Sequence, residues 1–199
     1  MVFRTHRHPD MTPFLKKTSV FIPLLLLVLF ASQVCAEEAR LKNIIVTNTR
    51  DDLLIYLTVE SAFTEDMQTA ILSGVTTTFS FYVNLHRVRS FWMDKEMVSL
   101  KLTHTIKYDN LKNDFTILRS WEDDKPITVK SIEDAEKVMT EIDSLKVIPL
   151  DRLVKGSRYQ IRTKAQLSKV RLPLYLHYIL FFVAMWDFET DWYTIDFIY

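Results

Sequence analysis

The chain has 199 residues, of which 48% are hydrophobic, and its 25 basic and 25 acidic side chains balance to a formal net charge of zero. This balance argues against a nucleic-acid-binding protein, and the length is sufficient for a domain with a buried core. With two glycines and one cysteine, the chain has no glycine-rich phosphate loop, no dinucleotide-binding fingerprint and no internal disulfide.

Residues 1–36 have the pattern of a secretory signal peptide. A basic segment ending at Lys17 precedes an eleven-residue apolar run, Val20–Phe30. Val34 and Ala36 place small side chains where a signal peptidase requires them. We therefore expect cleavage after Ala36 and export of residues 37–199, as one β-rich domain, to the periplasm or the outer face of the inner membrane. An uncleaved N-terminal anchor is the alternative, although a membrane-spanning helix needs about 20 apolar residues.

Cleavage would change the charge and the redox chemistry of the chain. It leaves 21 basic and 24 acidic residues, a net charge of −3, and removes the single cysteine, Cys35. We therefore expect no thiol chemistry, no nucleic-acid partner and no strong overall attraction to anionic lipid.

Alternating apolar and polar residues dominate the first two thirds of residues 37–199. This period of two is typical of half-buried strands in an antiparallel sheet. Val75–Leu85 is the clearest case, and Val98–Tyr108 repeats the pattern with His104 as an unusual core-facing residue. Further strands are predicted at Leu41–Asn48, Leu53–Ser61, Phe115–Trp121, Tyr159–Leu167 and Tyr193–Tyr199.

Two short helices are predicted between the strands. Thr64 is a suitable N-cap for the first helix, which presents Met67, Ala70 and Ile71 on one side and stops at Gly74. The second helix begins at Ser131, and its apolar side consists of Ile132, Ala135, Met139 and Ile142. The predicted fold class is α+β: mainly an antiparallel sheet or two-sheet sandwich of about seven or eight strands with two short helices.

A basic and aromatic patch follows the clearest strand. It consists of Arg87, Arg89, Trp92 and Lys95. We interpret it as a solvated strand end covered by an aromatic lid, since export and net acidity disfavour nucleic-acid binding.

The segment Leu172–Trp186 is apolar throughout except for His177. It is too short to span a bilayer as a helix, so we expect a buried core element. The alternative is an apolar surface that contacts a membrane or a partner protein. The candidate interaction surface consists of Leu180, Phe181, Trp186 and Trp192.

Few side chains are arranged for chemistry. His86, His104 and His177 are far apart and lack the spacing of metal ligands. Asp187, Glu189 and Asp191 alternate as in the first part of a calcium loop, but the loop glycine and the distant acid are missing. We therefore predict no catalytic residue, no metal site and no cofactor.

Three blocks of sequence carry a resemblance to a known family. They are Thr64–Phe81, Arg87–Asp94 and Trp186–Tyr193. In this order they resemble bacterial exported proteins of the domain-of-unknown-function family four-three-nine-zero. The resemblance implies a bacterial envelope protein, often encoded beside a membrane sensor kinase of the nitrogen-regulation type, and it implies no functional residues.

The predicted function is a non-enzymatic binding or interaction module of the bacterial cell envelope, accessory to envelope sensing. Its expected partner is an envelope or inner-membrane protein, with Leu172–Trp186 available for membrane contact. One alternative is an envelope enzyme of unknown chemistry. Another is a small outer-membrane β-barrel, which the aromatic alternation from Tyr193 to Tyr199 suggests and the two helices disfavour.

Overall fold

The computed structural model describes residues 38–123, 125–168 and 188–199. In this part of the chain, nine strands form two antiparallel sheets, accompanied by two short helices. The predicted α+β class is confirmed, with one strand more than the highest number expected. The strands are β1 (Arg40–Asn48), β2 (Asp52–Glu60), β3 (Thr77–Arg87), β4 (Lys95–Asp109), β5 (Asp114–Arg119), β6 (Ile127–Val129), β7 (Glu141–Pro149), β8 (Arg158–Leu167) and β9 (Tyr193–Ile198).

The two sheets combine local and distant strand pairs. The smaller sheet has the order β1-β2-β7, and the larger sheet has the order β6-β5-β4-β3-β8-β9. The predicted hairpins are present as the pairs β1-β2 and β4-β5. β7 joins β2, and β8 joins β3, across long separations in sequence. β3 therefore lies inside the larger sheet, with β4 on one side and β8 on the other.

The alternating pattern of β3 divides its side chains between a core face and an outer face. The residues predicted to share the core face are buried: Thr77, Phe79, Phe81, Val83 and Leu85. Aromatic and β-branched side chains pack well on such a half-covered, pleated surface. Because the strand is paired on both edges, the same division continues into β4 and β8, which makes one face of the sheet apolar and the other polar.

Helix α1 (Glu65–Leu72) begins and ends as predicted. The Thr64 hydroxyl accepts a hydrogen bond from the Met67 N–H at 3.2 Å, which satisfies one free donor of the first turn. Met67, Ala70 and Ile71 are buried. Gly74 follows with a φ of +88°, a left-handed conformation that glycine adopts without steric cost.

Helix α2 (Ile132–Thr140) has the predicted cap but ends earlier than expected. The Ser131 hydroxyl accepts a hydrogen bond from the Asp134 N–H at 3.1 Å, and Ala135 and Met139 are buried. The placement of Ile142 on this helix is wrong. Ile142 is buried in β7, where it pairs with Leu57, because pairing with β2 favours the extended conformation over another helical turn.

One hydrophobic core contains buried side chains from both sheets and both helices. Phe79 illustrates the packing: its ring meets Phe63 and Phe188 edge to face, with centroids 5.4 and 4.9 Å away. Each buried side chain of this size contributes roughly 1.5–3 kcal/mol, so the core accounts for the stability of a chain without a disulfide. Among the described residues, no helix combines the length and the apolar character needed to cross a bilayer.

His104 lies on the core face of β4 and is buried, as its position in the alternation predicts. Its Nδ1 lies 2.7 Å from the Met139 carbonyl oxygen. Because a carbonyl can only accept, Nδ1 carries the proton and Nε2 has none. Burial lowers the pKa of His104 to about 3; the Met139 hydrogen bond opposes this shift and the Arg119 charge adds to it. His104 is therefore a neutral structural residue at neutral pH.

Candidate functional site: an apolar tip beside an arginine cavity

The loop between β3 and β4 carries three consecutive, strongly exposed apolar side chains. Phe91, Trp92 and Met93 are 98%, 78% and 83% exposed. We call these three residues the apolar tip. Burial of one such side chain stabilises a protein by roughly 1.5–3 kcal/mol, a gain that the isolated chain does not obtain here. Contiguous exposed apolar groups mark surfaces that contact other molecules.

Hydrogen bonds at the base of the loop hold it to the larger sheet. β3 and β4 remain paired up to the last residue of β3. The Val88 N–H donates to the Arg158 carbonyl oxygen of β8 at 2.9 Å. The Arg89 N–H donates to the Asp94 carboxylate at 3.2 Å. The apolar tip is therefore presented from an anchored end of the sheet.

Three arginine side chains line a cavity beside the apolar tip. The cavity has a volume of about 790 Å³, and its wall includes Arg87, Arg89 and Arg158. We call it the arginine cavity. The other described residues of its wall are Val88, Ser90, Phe91, Trp92, Gly156, Ser157 and Ile198. None of the described wall residues carries a carboxylate.

The guanidinium groups of the arginine cavity make no hydrogen bond or ion pair with any other described residue; the hydrogen bonds of these three arginines are made by their backbone atoms. A guanidinium presents a planar set of donors that matches two oxygens of a carboxylate or a phosphate. Arg87, Arg89 and Arg158 therefore give the cavity the chemistry of an anion-binding site.

A second cavity of about 520 Å³ shares Arg158 with the first but has a different character. Its polar groups satisfy one another: the Arg162 Nε donates to Gln160 at 2.6 Å, and the Gln160 amide donates to Asp196 at 2.9 Å. Asp94 also belongs to this wall. Two carboxylates offset its arginines, so we place anion binding in the arginine cavity.

The sequence-based interpretation of this region needs correction. Trp92 is 78% exposed at the edge of the arginine cavity, so it does not bury the strand end as an aromatic lid would. Phe91, Met93 and Arg158 are missing from the sequence-based patch. Phe91 and Met93 could have been predicted from the sequence, because three consecutive large apolar residues in a hairpin loop indicate an exposed apolar surface. Arg158 could not have been predicted from local sequence, because the pairing of β3 with β8 places it beside the loop.

Trp192 is the described member of the interaction surface predicted from the sequence, and it is 46% exposed. It packs on the polar face of the larger sheet, with the Lys164 Nζ 5.6 Å from its ring centroid and the Tyr82 ring 6.4 Å away. The other members, Leu180, Phe181 and Trp186, lie outside the described residues. Trp192 lies just before β9, whereas the apolar tip lies near the end of β9. With a rise of about 3.3 Å per strand residue, the two are about 20 Å apart.

The histidines and acids considered for chemistry are not brought together. His86 lies on the outer face of β3, with its Nε2 3.8 Å from Glu96, whereas His104 lies in the core. Glu189 forms an ion pair with Lys164. His177 and Asp187 lie outside the described residues. Within the described part of the chain, no three His, Cys, Asp or Glu side chains cluster as metal ligands.

Comparison with known proteins agrees with the resemblance seen in the sequence. Neither a curated protein nor a solved structure matches the chain. A family model, described as a domain of unknown function, DUF4390, matches residues 36–196. These residues include β1 to β8, the apolar tip and the first four of the six residues of β9. The chain therefore belongs to the DUF4390 family.

Proposed function

We propose that this protein is an exported, non-enzymatic binding module of the bacterial cell envelope, accessory to envelope sensing. The binding surface in this proposal is the apolar tip together with the arginine cavity. One observation carries the proposal: three exposed apolar side chains lie beside three guanidinium groups that have no hydrogen-bond or ion-pair partner among the described residues. With the apolar tip exposed, the unbound protein lacks the stability that burial of these side chains would give, which is expected where a surface is kept for a ligand.

The sequence of the N-terminal segment supports the envelope location. The basic residues, the apolar run Val20–Phe30 and the small residues before Glu37 have the order of an export signal. An envelope or inner-membrane component is therefore the expected partner. The apolar segment Leu172–Trp186 is expected to be a buried core element, and contact with a membrane or a partner is the alternative for it.

Fractionation of cells tests the proposal. We expect the protein recovered from the envelope to begin at Glu37 and to be released by carbonate washing. We expect the double variant Phe91→Ser and Trp92→Ser to melt like the wild type, because both side chains are exposed, but to lose its association with the envelope.

Leu111→Ser is the matched control, since Leu111 is 94% exposed in the turn after the opposite end of β4. It should fractionate like the wild type. Envelope association that survives the double variant would show that the apolar tip is not the binding surface. An N-terminus at Met1 or Val2 would show that the leader is an anchor.

A further inference from the structure

We infer that the apolar tip inserts into the surface of a bilayer that contains anionic phospholipid, while the arginine cavity binds a lipid phosphate. The inference rests on the proposed binding function and names the partner. It assigns separate roles to the two halves of the site: Phe91, Trp92 and Met93 enter the boundary between headgroups and acyl chains, and the arginines remain at headgroup depth.

The shape and composition of the tip favour a bilayer over a protein partner. A stable protein interface buries about 800 Å² on each side and uses about 20–30 residues of each partner. The apolar part of this surface is small: it consists of the three tip residues and Ile198, which is 68% exposed in the wall of the arginine cavity. The chain neighbours of the tip are polar or charged: Arg89, Ser90 and Asp94. A small, strongly exposed apolar group requires no complementary pocket in a fluid bilayer, and tryptophan and phenylalanine are typical of membrane interfaces.

The charge around the tip complements an anionic headgroup layer. Arg87, Arg89 and Arg158 line the cavity, and Lys95 is exposed on the other side of the loop. Against these four cations stand three carboxylates: Asp94, which accepts the Arg89 N–H, Glu96, which lies beside His86, and Asp196, which shares the second cavity with Arg158. The local balance is therefore positive. Its sign is opposite to the net charge of −3 expected for residues 37–199. The local charge determines the interaction at the contact, because salt screens charges farther away than about 8–10 Å.

A fluorophore at the tip tests the inference in the full chain. Cys35→Ser removes the only cysteine, and Met93→Cys then provides a single labelling site for an environment-sensitive dye. We expect a blue shift and an intensity increase with vesicles of equimolar phosphatidylglycerol and phosphatidylcholine, and not with phosphatidylcholine alone. Because the dye reports only its own surroundings, adsorption through the N-terminal apolar run does not produce this signal. The control carries the dye at Leu111→Cys, where we expect no change.

Arginine variants test the headgroup contact. Arg89→Gln and Arg158→Gln should each weaken the affinity for vesicles, measured with the dye at position 93, about five-fold, since one basic residue near an anionic surface contributes about 1 kcal/mol. Lys107→Gln, exposed on β4 near the turn that carries Leu111, is the matched control and should have no effect. Raising the salt concentration should weaken binding of the wild type more than that of the arginine variants. Melting curves establish that each variant is folded.

Each result has a defined meaning. Equal signals at positions 93 and 111, or equal signals with both vesicle types, would overturn the inference. Binding of free glycerol phosphate to the protein, without any dye shift on vesicles, would assign the cavity to a soluble anion. This result would also overturn the inference. If no vesicle shifts the dye but the double tip variant still loses envelope association, the lipid inference fails and the binding function stands with a protein partner. If neither effect occurs, both proposals fail.

Discussion

His104 shows how a single position in a strand decides the chemistry of a side chain. Of the histidine, lysine, arginine and carboxylate side chains that the structure describes, only His104 is buried. Its Nδ1 is satisfied by the Met139 carbonyl, while its Nε2 has no hydrogen-bond partner among the described residues. Protonation would place an unpaired N–H and a positive charge beside the Trp121 ring, whose centroid is 4.4 Å away, and near Arg119. The neutral imidazole therefore packs in the core as an aromatic side chain does.

We expect the stability of the protein to fall in acid because of His104. Below its ordinary pKa of 6.5 the unfolded chain binds a proton that the folded protein does not bind until about pH 3. The unfolded state thus binds more protons in this window, and the free energy of unfolding falls by up to about 1.4 kcal/mol per pH unit from this group. Urea titrations of the wild type and His104→Leu from about pH 7 to about pH 4 measure it.

The variant cannot titrate at position 104, so the stability difference between the two proteins should move in favour of His104→Leu as the pH falls. At neutral pH the variant should be about 1 kcal/mol less stable, because it loses the hydrogen bond to Met139. Parallel pH profiles would contradict the assignment of this acid sensitivity to His104.

At the scale of elements, the helix starts carry clear local signals. α1 and α2 each begin with a hydroxyl residue that accepts a backbone N–H three positions later. Both helices have acidic residues in their first turns, which favours the positive end of the helix dipole. With eight and nine residues, they are too short to be stable alone, so these caps act together with burial against the sheets.

Removal of the cap at Ser131 is expected to weaken the protein. Ser131→Ala leaves the Asp134 N–H without its acceptor and should lower the free energy of unfolding by about 1 kcal/mol. Ser131→Asn keeps a side-chain oxygen in reach and should retain most of the stability. Urea titration of the three proteins measures the effect. An asparagine variant as unstable as the alanine variant would mean that the hydrogen bond is not the stabilising contact.

At the scale of the whole molecule, strand pairing assembles the candidate site. The loop after β3 supplies Phe91, Trp92 and Met93, and β8 supplies Arg158 from a distant part of the sequence. The same sheet presents Trp192 at the other end of its outer face. The remaining members of the predicted interaction surface lie outside the described residues, so their role stays a prediction.

The apolar segment Leu172–Trp186 can be tested directly. If the core of the domain covers this segment, Phe181→Asp should unfold the protein, because an unpaired buried carboxylate costs several kcal/mol against a total stability of about 5–15 kcal/mol. Phe181→Leu is the matched control and should remain folded. Thermal melts and co-sedimentation with membranes give the readout. A Phe181→Asp variant that melts like the wild type but leaves the membrane fraction would instead show that a partner or a membrane covers the segment.

Local sequence alone determined the features that depend on near neighbours. Period-two alternation located β3, β4 and β8, and it placed His104 on the core face, because successive side chains of a strand point to opposite sides. Hydroxyl caps and Gly74 located α1, since these residues satisfy or permit the backbone at a helix end. The ordered blocks that include Thr64–Phe81 also sufficed to identify the family.

Only the tertiary structure decided the features that depend on distant partners. β6 has three residues, too few to show a period, and β7 is interrupted by register shifts against β2 that break its alternation. The end of α2 at Thr140 depends on that same pairing, because the apolar spacing of Ile142 fits either a helix or a strand. The arginine cavity exists because β8 pairs with β3, and the exposure of Trp92 is decided by what the surrounding fold leaves uncovered. Strand pairing and solvent exposure are properties of the assembled sheet, and no local pattern encodes them.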